Sequence, residues 1–195
     1  MVMPVLRAIA VVNTILLRIG RNIAWVALAL MVIVILLQVF FRYVLNNALA
    51  WPDEAARFLM LWMTGLVAPS AFRWGGFVAI DMVPRALPKT ASLMSTVFLL
   101  ILSIIVLSVG LRHGYDHTFG FGGRFDSASL RVPLDLIGLE SFKVKLRYMY
   151  GSLLSGILLL VFVNVELILR ASVSLLWPDE VLPDDDAPAE MLGTD

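Results

Sequence analysis

His113 and His117 stand four residues apart in "HGYDH", with Asp116 between them. On a helix that spacing puts both imidazoles on one face, where they could share a divalent metal. Gly114 weakens the helix, however, no Glu occupies a general-base position, and spacing supplies no third ligand. A polar helix end is the expectation, and no metal. "GFGG" at 120–123 lacks the Lys-Ser/Thr that completes a phosphate loop and reads as a turn. Glu166 is the one carboxylate well inside an apolar run. It could couple protons or cations, but coupling carboxylates sit nearer mid-bilayer, so pairing with Arg170, four residues on, is preferred. Both histidines lie at or beyond the end of an apolar run, so haem ligation between spans is not expected. The chain has no cysteine, which excludes disulfides, thiolate metal sites and thiol nucleophiles. No cofactor is expected.

A different constellation opens with "WPDEAARFLMLW" at 51–62. Pro52 suits the first turn of a helix, Asp53 and Glu54 sit by the positive end of its dipole, and Trp51 suits the headgroup level. Arg57 follows Glu54 by three residues and Asp53 by four, so an ion pair can form on one helix face. An unpaired charge one turn inside a span costs ~2.5–3.5 kcal/mol, which favours pairing with Glu54 or with a partner protein. "WPDE" recurs at 177–180, where it ends an apolar run. The tetrapeptide is therefore mainly a boundary signal. Gly151, Ser152, Ser155 and Gly156 have the small-x-x-x-small spacing that lets helices approach closely.

The elements that must position these residues are membrane helices. Of 195 residues, 60% are hydrophobic and 15% charged, against roughly 25% charged in soluble domains. Spans are expected at about 23–41, 53–72, 91–111 and 149–169, each near the ~20 residues needed to cross a bilayer. Backbone pairing inside lipid makes such runs helical. Before the first span, Arg7, Arg18 and Arg21 punctuate an aliphatic segment, which reads as an amphipathic helix lying in the interface. Residues 178–195 are acidic, contain no Lys or Arg, and read as a disordered tail after a membrane domain at 1–177. The expected class is an all-α integral membrane protein with four spans, an interfacial helix before them and an acidic tail after. Zero net charge and no basic block give no sign of nucleic-acid binding.

The order Arg42-Tyr43, Trp51, Glu54, Arg57, Trp62, Gly65, Ala71, Arg73, then "WGGFVAIDMVP" with Asp81, resembles the DctQ-type small membrane subunit of tripartite ATP-independent periplasmic (TRAP) transporters. Phe77 stands where that family's loop pattern commonly has His, and the basic segment 112–147 is longer than its usual third loop. The resemblance implies no enzymatic activity. It implies a scaffold for a large DctM-type permease subunit, with a periplasmic solute-binding protein delivering an organic acid and an ion gradient driving uptake. It also implies the inner membrane of a bacterium or archaeon. Under it, Trp51 anchors the second helix, Glu54 and Arg57 fix its geometry, Trp62 and Gly65 pack within the membrane, and Arg73 and Asp81 shape a cytoplasmic loop. Alternatives are a self-contained small cation transporter or the membrane anchor of a redox enzyme. Basic residues divide almost evenly between the two sides, but three arginines before the first span favour cytoplasmic termini.

Overall fold

Four long helices account for the apolar runs: α1 Val2–Tyr43, α2 Trp51–Arg73, α3 Lys89–Phe119 and α4 Arg147–Leu176. Each is long and apolar enough to cross a membrane. They are seen in a computed structural model that describes residues 2–75, 88–132, 142–177, 182–183 and 186. The loop bearing Phe77 and Asp81 lies outside those residues, as does most of the acidic tail.

The helices alternate in direction. At one end of the α1–α2 pair, Gln38 donates to Asp53 at 2.8 Å; at the other, Arg73 donates to the Ala10 carbonyl at 3.2 Å. The order places the start of α1 and the end of α4 at the same end of the bundle. α2 and α4 run in the same direction, and α4 contacts each of the other three helices. α3 returns against α4, with the His117 ring edge-on to Tyr150 at 5.7 Å.

The amphipathic segment and the first span form a single helix of 42 residues, about 63 Å long at ~1.5 Å per residue. That is twice the ~30 Å hydrocarbon core. Burial shows why the helix continues. Leu6, Ala10, Asn13, Leu17, Gly20, Ala24 and Ala27 are buried in alternating steps of four and three. That 3.5-residue period keeps one seam facing neighbouring helices along more than half of α1. The early segment is held by packing against the bundle, not only by an interface.

The segment 112–147, read from sequence as one long basic loop, contains structure. α3 continues through His113 and His117 to Phe119, so the histidines lie inside a helix. A single 3₁₀ turn, Gly122–Arg124, leads into the antiparallel strands β1 (Asp126–Val132) and β2 (Phe142–Lys145). This hairpin stands at the end of the bundle opposite the start of α1 and the end of α4.

Candidate functional site

The best-defined polar site lies where α1, α2 and α4 meet near the start of α1. Glu166 is fully buried, and the Arg73 side chain is 1% exposed. One carboxylate oxygen accepts from Arg73 Nη2 at 2.7 Å and from Arg170 Nε at 2.8 Å; the other accepts from Asn13 Nδ2 at 2.7 Å. Arg73 extends the cluster to α1, donating through Nη1 to Thr14 Oγ1 at 2.7 Å. The Arg170 pairing read from sequence is present, but Glu166 also binds three helices together. Arg73, read from the resemblance as shaping the loop that follows, is a buried residue at the last position of α2. Its charge is also favourable at a helix C-terminus.

Buried charges hold such a position only when paired and hydrogen-bonded. Here both carboxylate oxygens are satisfied and the guanidinium of Arg73 reaches three separate acceptors. Asn13 and Thr14 are the members that sequence reading passed over. The available signal was Asn13 itself, a polar side chain in an otherwise small or aliphatic 3.5-residue stripe.

A second feature is the α2–α4 seam. A Cβ added at Gly65 would lie 2.6 Å from the Ser152 carbonyl oxygen, and one at Gly156 would lie 2.8 Å from that of Gly65. Only glycine permits this backbone approach. Pro69, buried in α2 four residues after Gly65, has no N–H to offer the Gly65 carbonyl. The helix therefore lacks a side-chain barrier and one internal hydrogen bond where it meets α4. Trp62 ties the same pair of helices near the hairpin end, donating from Nε1 to the Tyr148 carbonyl at 3.1 Å.

At that end Glu54 has a different role from the one its spacing suggested. It accepts from the backbone N–H of Ala128 at 3.2 Å, Ser129 at 2.6 Å and Leu130 at 2.9 Å, and from Ser129 Oγ at 2.6 Å. No Glu54–Arg57 ion pair occurs among the described residues; strand β1 offers preorganised amide donors and captures the carboxylate instead. Asp53 is engaged by Gln38. Arg57 is exposed and lines a surface hollow with Glu54 and Ser129. Trp51 opens α2 with 37% of its surface exposed.

In the histidine pair, His117 Nδ1 lies 2.9 Å from the His113 carbonyl oxygen. Among the described residues no group of three or more His, Asp or Glu side chains is placed to hold a metal.

Helical spans with exposed apolar flanks around a small buried ionic knot define a multi-pass membrane protein. A family model for the DctQ component of tripartite ATP-independent periplasmic transporters matches residues 31–174, and the chain belongs to that family. It is thus a small membrane component of a TRAP transporter. Comparisons with curated proteins and with solved structures return no match.

Proposed function

We propose that this chain is the scaffold subunit of its transporter, bracing a large DctM-type permease subunit while that subunit carries an organic acid across the membrane. On this proposal a periplasmic solute-binding protein delivers the acid and an ion gradient drives uptake. The chain lies in the inner membrane of a bacterium or archaeon with both termini cytoplasmic. The family match supports a component role, and the Glu166 cluster supports a bracing one. Its carboxylate is enclosed by Arg73, Arg170 and Asn13. A coupling carboxylate must exchange its proton or cation with a pathway, whereas this one is committed to joining helices.

Broad apolar flanks support the same reading. Trp25, Val26, Ile33 and Leu36 on α1, and Phe98, Ile105 and Val106 on α3, are at least half exposed in the isolated chain. Such surfaces suit lipid and a membrane partner together. Co-expression with the neighbouring genes, extraction in a mild detergent and purification through this chain test the proposal. The expected result is a large multi-span protein recovered in stoichiometric amount. A homodimer that purifies alone and transports cations in liposomes would overturn it and return Glu166 to the role of a coupling residue.

A further inference from the structure

The geometry points to a phospholipid site on the α1–α2 flank, with an anionic headgroup clamped by Arg18 and Arg21 and an acyl chain laid in the groove beside them. The groove has a volume of about 530 Å³ and is walled by Ala24, Trp25 and Leu28 of α1 and Met63, Val67 and Ala68 of α2. Arg21 and Ala71 stand at one end, and the groove runs from there toward Leu28 and Met63, into the span. A cation at the membrane edge above an apolar channel matches the two halves of a phospholipid.

Arg21 is preorganised for this role. Its guanidinium packs 4.8 Å over the Trp74 ring, and Nη1 donates to Ser70 Oγ at 3.4 Å. The second terminal nitrogen is directed at an anion that the chain itself provides. Asp186 gives one carboxylate oxygen to Arg21 Nη2 at 3.0 Å and the other to Arg18 Nη2 at 3.2 Å. Two guanidinium groups, each taking one oxygen of a single anion, form the arrangement that a phosphodiester with two non-bridging oxygens satisfies equally well. The tail carboxylate thus occupies the headgroup position and competes with lipid for it. Arg18 is 61% exposed and Asp186 34% exposed at the side chain, so exchange requires no opening of the core. This site is independent of the transport role proposed above.

The test is lipid retention by the purified full chain, measured by native mass spectrometry after incubation with phosphatidylglycerol or with phosphatidylcholine of the same acyl chains. The expected result is preferential retention of phosphatidylglycerol. Asp186→Asn should raise that retention, and Arg21→Gln should lower it by about ten-fold, the scale of a lost charge-assisted hydrogen bond. Arg7→Gln, which changes another exposed arginine on α1, should leave it unchanged. Val67→Phe fills the groove without touching the clamp and should also lower retention, which covers the case in which Arg21→Gln does not fold. Equal retention by Arg21→Gln and Arg7→Gln, no response to Asp186→Asn, or full retention by Val67→Phe would each overturn the site. So would a membrane-protein partner that binds through the groove, loses binding on Val67→Phe and excludes lipid from it.

Discussion

Glu166 carries a full charge into a helix-packed interior, and its partners determine what its removal does. Glu166→Gln would leave Arg73 with a buried charge and a weaker acceptor, for an expected loss of about 3–5 kcal/mol in unfolding measurements made in detergent. Replacing Arg73 and Glu166 together by leucine should cost less than either single change, because no uncompensated partner remains between them. Asp186 lies outside the spans and is open to titration. Partial burial raises its pKa, but bonds from Arg18 and Arg21 outweigh that and hold it below the usual aspartate range. A carboxyl with a lowered folded pKa stabilises the tail contact fully above the ordinary aspartate pKa and loses that contribution as pH falls through the lowered value. Tail protection read by hydrogen exchange should follow that course, and Asp186→Asn should abolish the dependence. Glu54 is a local lock by the same reasoning. Glu54→Ala should speed amide exchange at 128–130 by at least ten-fold while the helices remain protected, since it removes the acceptor for three N–H groups.

The α2–α4 pair is held by backbone proximity, so its weak point is any added side chain at the crossing. Gly65→Leu should force the helices apart and destabilise the bundle by roughly 1–3 kcal/mol or more, whereas a leucine at exposed Thr64 should change little. A thermal shift of the purified chain compares the two. Apolar runs made the spans readable, because the bilayer demands length and hydrophobicity over every residue. α1 was harder to delimit. Its outer face is apolar for lipid and its seam is small and apolar for packing, so the 3.5-residue period is hidden by residues that look alike. The hairpin was hidden for another reason: "SASLRV" and "FKVK" are separated by an unpatterned stretch, and their pairing is a non-local event. Trp62 and Gly65 were legible because aromatic and small residues are distinctive inside a span. Glu54 and Arg73 could be singled out in the sequence, but their contacts could not. Helical spacing proposes neighbours on the same element, while the actual partners lie 74–76 residues away in β1 for Glu54, and 59 and 63 away in α1 and 93 away in α4 for Arg73.

Among the described residues, a buried ionic knot near the start of α1 and the Glu54–β1 lock at the opposite end of the bundle are separated by glycine-mediated packing. The helices are thus tied at both ends and along the α2–α4 crossing, while apolar faces of α1 and α3 remain exposed. Those properties suit a brace for a partner that moves. The most direct measurement is ion-gradient-driven uptake of the proposed organic acid in proteoliposomes containing the proposed large subunit and binding protein, with and without this chain. Uptake should require the chain, fall strongly with Glu166→Gln, and be absent when the chain is reconstituted alone. Full uptake without it, or ion transport by the chain by itself, would contradict the scaffold account.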